Sequence, residues 1–216
     1  MNVILSSAYW PNLVYLSYFL HADSVVMEQH EHFQKQSYRN RCLILSANGT
    51  LPLTIPVQHL QAKMAMHEIR ISYQENWPKK HWGAIESAYK NSPYFEYFED
   101  DIHALYQQPF EHLLTFNLAQ LKVVLKLLKQ KRDYTLSNQF EPVPAGVLDL
   151  RERLHPKTSL PPGMQHILQN HSYYQTFENK FAFIPNLSCL DLLFNCGLDS
   201  LPYLESLFKQ FPNWEA

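Results

Sequence analysis

The chain opens on a strand–helix–strand pattern, and this limits the fold more than any other stretch. Residues 2–6 (NVILS) form a short apolar run of strand character. Asn12 stands where a helix cap belongs, ahead of residues 13–21, in which Leu13, Leu16, Phe19 and Leu20 fall on one helical face. Asp23 then precedes SVVMEQHEHF, a second strand in which Val25, Met27 and Gln29 alternate with Val26, Glu28 and His30. This spacing fits a βαβ unit, with two parallel strands joined by a crossover helix.

The next segment adds strands. CLILSA and LPLTIPV flank Asn48-Gly49, a hairpin signal, and EIRIS (68–72) alternates as a further strand. The middle of the chain is helical. A helix over 77–90 opens with Pro78 in its first turn, another covers roughly 94–106, and a third runs from 109 to about 131. Residues 138–162 are Pro-rich and read as irregular. Beyond them the pattern gives a short helix near Ser172, a strand at KFAFIP, and helices around 187–196 and 201–211, with Gly197 as a C-cap. The expectation is one mixed α/β domain over 1–216, with a central mixed sheet drawn from the N-terminal third and helices packed on it.

Several chemistries are excluded by what the sequence lacks. Its five glycines are never close together, so neither a GxGxxG turn nor a Walker A loop can form. There is no GxSxG elbow, no HExxH and no paired-cysteine zinc motif. A formal net charge of −2 offers no global basic excess for nucleic acid. The three cysteines form no CxxC pair, and the N-terminus lacks the basic-then-apolar pattern of a signal peptide. A cytoplasmic protein with no membrane span is therefore expected. No cofactor is indicated, and the oligomeric state is left open.

The densest polar cluster is residues 30–41, directly after the second strand, where ligands sit beyond the carboxyl ends of parallel strands. Lys35, Arg39 and Arg41 are candidates to hold an anionic group, and Gln34 and Asn40 to read a sugar or base. The alternative is a solvated loop. Glu28, His30 and His32 share a strand face that could offer metal ligands, although nothing completes the set, so no metal is assigned. Tyr9 and Trp10 follow the first strand and could wall a ligand or anchor the core. His81, one turn beyond Trp77, could move a proton or be a hydrogen-bonded structural residue. Asp149, Arg151, His155 and Lys157 lie within nine residues. There Asp149 could orient a catalytic His155, while Arg151 and Lys157 could clamp an anion; the plainer alternative is a salt-bridged loop. Asp191, a charge amid apolar residues, is expected to pair with one of these basic groups.

Taken together, FQKQSYRNR, LTIPV, the W-x3-H-x7-Y helix followed by SPYF, DLRERLHPK and NLSCLDLLFNCG resemble the WbqC-like family in order and spacing over about residues 2–200. Tyr9 and Pro11 also match, but no Gln-Pro pair, frequent in the family, precedes Tyr9. The resemblance adds weight to Gln34, Lys35, Ser37, Arg39, Asn40, Arg41, His81 and Asp191. It implies a setting in lipopolysaccharide O-antigen or other surface-polysaccharide synthesis. The leading expectation is a transferase acting on an activated sugar or an acyl- or amino-sugar, with an anionic small molecule or sugar as its partner. The rivals are a non-catalytic binding or scaffold protein and a metal-dependent hydrolase using His30 and His32. A fold-level analogy to nucleotidyltransferases lacks their His-x-Gly-His motif.

Overall fold

The computed structural model describes residues 1–58, 61–142, 146–212 and 214. Strand β1 (Asn2–Ser6), helix α1 (Leu13–His21) and strand β2 (Ser24–Glu28) form the expected βαβ unit, with β1 and β2 parallel and Val3 opposite Val25. The Asn12 side chain accepts from the Tyr15 backbone N–H at 2.9 Å and so satisfies a free donor of the first turn. Helix α1 is buried from Leu13 through Phe19 because it lies beneath the C-terminal helices α6 (Cys189–Cys196) and α7 (Ser200–Gln210).

The fold is mixed α/β, with two separate sheets. Strands β3 (Arg41–Ser46) and β4 (Gly49–Thr54) form an antiparallel hairpin turned at Ala47-Asn48, with Gly49 already paired to Ser46, and this hairpin stays apart from the main sheet. The main sheet is parallel throughout, in the order β5-β2-β1-β6. Its outer strands, β5 (Thr135–Leu136) and β6 (Val147–Asp149), come from beyond the N-terminal third. Strand β6 lies inside the segment read as irregular; residues 143–145 of that segment lie outside the described residues.

Three further elements differ from the sequence reading. EIRIS is not a strand. A 3-10 turn takes Met66–Glu68, and the buried Ile69 and Ile71 bond instead to residues 111–113, through Leu113 N–H to Ile69 O and Ile71 N–H to Glu111 O. KFAFIP forms no strand, because the Ile184 N–H is satisfied by the Gln175 side chain. The helix expected near Ser172 is α5 (Pro162–Asn170), which ends before that residue.

Helices α2 (Trp77–Tyr89), α3 (Phe95–His103) and α4 (Leu113–Leu127) complete the framework. The core runs continuously from β1 through α1, α4 and α6, with Leu5, Leu16, Phe116 and Phe194 buried. Among the described residues, no helix is long and apolar enough to cross a membrane.

Candidate ligand cleft

Because all four strands of the main sheet run the same way, their carboxyl ends share one edge. Polar residues collect there: Glu28 ends β2, Ser137 follows β5, and Asp149 ends β6 with Arg151 just beyond. Glu28 is fully buried, which is costly for a carboxylate unless its lone pairs are filled. They are filled. Its Oε1 accepts from His30 N–H (2.7 Å) and Ser137 Oγ–H (2.6 Å), and its Oε2 from Arg151 Nη1 (3.1 Å). Arg151 also grips Asp149 with two prongs, Nε at 3.0 Å and Nη2 at 2.7 Å. Partial burial acts to raise the Asp149 carboxyl, but the hydrogen bonds and charge of Arg151 outweigh it and hold the group below the ordinary range.

Arg39 mirrors this arrangement. Buried like its partner, it meets Glu31 through Nε (2.8 Å) and Nη2 (2.5 Å), and Nη2 also reaches Glu152 at 3.2 Å. Burial works against the Arg39 charge, yet Glu31 and Glu152 hold its pKa above the usual value. The Gln34 amide donates to the same Glu152 oxygen at 2.7 Å and closes the group from the loop side. Two guanidinium groups thus face four carboxylates, a formal excess of two negative charges. A cleft of about 290 Å³ opens onto them, with Glu31, Gln34, Asp149, Arg151 and Glu152 on its walls. His30, His32 and Phe140 complete the lining. The His30 ring lies 4.8 Å from that of His67, whose Nδ1 is 2.9 Å from Gln29 O.

The remaining expected residues lie elsewhere. Tyr9 and Trp10 are fully buried and form no wall of this cleft. The Tyr9 hydroxyl lies 2.8 Å from both His81 Nδ1 and Tyr106 Oη, and Trp10 Nε1 donates to Tyr106 at 2.7 Å. Burial pushes His81 down to about 4, so its imidazole is neutral. Ser37 donates to Gln34 O at 2.6 Å, and Asn40 to Ile55 O at 3.0 Å; both are loop-fixing bonds. Arg41 opens β3, half-buried, while Lys35 and Lys157 are exposed. His155 is half-buried and lowered by that burial, and its Nδ1 accepts from Lys157 N–H at 3.1 Å.

Asp191 forms a separate polar island on α6. It accepts from Tyr89 Oη (3.0 Å), Tyr173 Oη (2.6 Å) and Gln175 Nε2 (2.9 Å), not from a basic side chain. Burial raises it to about 6. Its helix position puts it among hydroxyls and an amide, which supply donors without charge.

Glu28, His30 and His32 do not converge on a metal position. Glu28 is committed to Arg151 and Ser137, His32 is exposed, and among the described residues no three His, Cys, Asp or Glu are placed to hold one metal ion. The sequence reading also passed over Glu31, Glu152 and Phe140 as site residues. For Glu31 the available signal was the E-Q-H-E spacing at the end of β2, with Lys35 four and Arg39 eight positions beyond Glu31.

The model of the WbqC-like protein family matches residues 6–173, most of the chain and the whole cleft. The chain belongs to that family. Among relatives of this WbqC-like protein, an uncharacterised protein of Mycobacterium tuberculosis is 24% identical over 228 residues, covering 93% of this chain and 96% of the relative. No solved structure matches the chain.

Proposed function

We propose that this WbqC-like protein is a transferase that binds a sugar, neutral or amine-bearing, in the cleft beyond β2 and β6. The surface-polysaccharide setting is the one the family resemblance implies. One observation carries the reading: the cleft is walled by rigid, charge-paired carboxylates that outnumber their guanidinium partners. Carboxylates locked in place by Arg39 and Arg151 are fixed acceptors for hydroxyl or ammonium groups. Their excess charge disfavours phosphate deep in the cleft, so any phosphate of an activated donor lies toward the exposed Lys35. Of the two histidines that line the cleft, His30, the less exposed, is the proton carrier in this reading, in place of the buried His81.

The test is thermal denaturation with glucosamine, methyl glucosides, nucleotide-sugars and free nucleotides, on the wild type and Glu152→Ala. Near 100 times its dissociation constant, a true ligand adds about 2.7 kcal/mol. Sugars are expected to raise Tm, free nucleotides to have no effect, and Glu152→Ala to remove the shift. If sugar-containing compounds leave Tm unchanged, the reading fails. If sugars bind but His30→Gln changes no turnover with any donor, the protein is a binding module instead.

A further inference from the structure

Phe140 is 54% exposed and stands on the wall of an otherwise polar cleft. A ring of that size gains free energy by leaving water, so its exposed face, set beside fixed acceptors, is apolar area that a ligand in the cleft would cover. The ring is held in place. The Arg151 guanidinium carbon lies 5.0 Å from its centroid, and Arg151 Nη1 also donates to the carbonyl of the next residue, Glu141, at 3.2 Å. Arg151 is itself immobilised by Asp149 and Glu28. One cation therefore fixes both the ring and the backbone beside it.

We propose that Phe140 is the stacking platform of the cleft, on which the C–H face of a pyranose lies while Asp149 and Glu152 accept from its hydroxyls. This rests on the sugar reading above and specifies how the sugar is held. An aromatic ring offers an apolar face, and the flanking carboxylates offer acceptors at its edge; a pyranose has one apolar face and a rim of hydroxyl donors. A nucleotide would also stack, but its phosphates would meet the same excess of carboxylates.

Saturation-transfer NMR with methyl β-glucoside, glucosamine and UMP as probes, on the wild type, Phe140→Ala and Phe140→Trp, tests this. Because Phe140 is exposed, the alanine variant is expected to keep its Tm. In the wild type, saturation is expected on the C–H protons of one pyranoside face. Phe140→Ala should lose that pattern and bind roughly 3- to 10-fold more weakly, the range for an aromatic contact, and Phe140→Trp should keep it. Equal pyranoside binding by wild type and Phe140→Ala overturns the platform and leaves the sugar reading standing. Saturation of UMP that depends on Phe140 assigns the ring to a base and overturns the pyranose as its occupant. Binding of no probe to the wild type overturns the platform and the sugar reading together.

Discussion

Tyr9 and His81, 72 residues apart in sequence, meet in the core with 2.8 Å between Oη and Nδ1. His81 also makes a hydrogen bond with the Thr54 backbone, donating to its carbonyl, so Nδ1 carries the lone pair and Tyr9 is the donor. A directed chain follows: Trp10 Nε1 to Tyr106, Tyr106 to Tyr9, Tyr9 to His81. Protonating His81 would remove the acceptor at its end. With the folded pKa lowered to about 4 from 6.5, the His81 contribution is fully present above pH 6.5 and is lost as pH falls toward 4. The window corresponds to about 3 kcal/mol. His81→Gln, which offers both an acceptor and a donor without titrating, is expected to lose this slope in urea unfolding between pH 4 and 6.5.

Asp191 titrates with the opposite sign. Its folded pKa is raised from 3.8 to about 6, so the folded state binds more protons in that window and stability declines as pH rises through it. The two groups therefore largely cancel between pH 4 and 6. Asp191→Asn is expected to unmask the His81 slope and become steadily more stable, relative to the wild type, as pH rises from 4 to 6. Asp191→Ala leaves Tyr89, Tyr173 and Gln175 without their acceptor and is expected to cost roughly 2–4 kcal/mol at pH 4, a cost that shrinks as pH rises toward 6 because only the wild type then carries the buried carboxylate.

How much of this was legible in the sequence depends on element length and on which partners are local. The βαβ opening was legible because β1, α1 and β2 each carry at least five residues of clear pattern, and Asn12 marks the helix start. Strands β5 and β6 have two and three residues, too few to show a period, and exist because β2 and β1 offer them edges, as in Val26 with Thr135 and Asn2 with Val147. The same holds for the cleft. That residues 30–41 lie beyond a strand end follows from order along the chain. That Arg39 also meets Glu152, 113 positions away, follows only from the fold that brings β6 beside β1.

Gly197 ends α6 with φ of 56°, a left-handed conformation that costs any residue with a Cβ. A Cβ there would also lie 2.4 Å from the Tyr94 ring, which packs with Phe98 and cannot swing away without opening that contact. Both effects act together, so Gly197→Ala is expected to destabilise by about 2–4 kcal/mol in denaturant unfolding. Tyr94→Leu should relieve only the steric part, leaving Gly197→Ala less costly in that background.

The Arg39–Glu31 pair separates what holds the cleft from what merely touches it. Both side chains are almost fully buried, so removing one leaves an uncompensated charge, and Glu31→Leu or Arg39→Met alone is expected to cost about 3–5 kcal/mol. Glu152 can compensate only weakly in the Glu31 variant, because it is 61% exposed and already shared with Gln34. The double variant removes both charges, and its cost should fall well below the sum of the singles, giving a coupling of several kcal/mol in a double-mutant cycle. Glu152→Ala is expected to cost under 1 kcal/mol, since its contact with Arg39 faces solvent. Equal costs for Glu31→Leu and Glu152→Ala in urea unfolding would mean that Arg39 depends on no buried partner, and the cleft wall would then lack the rigidity that fixed acceptors require.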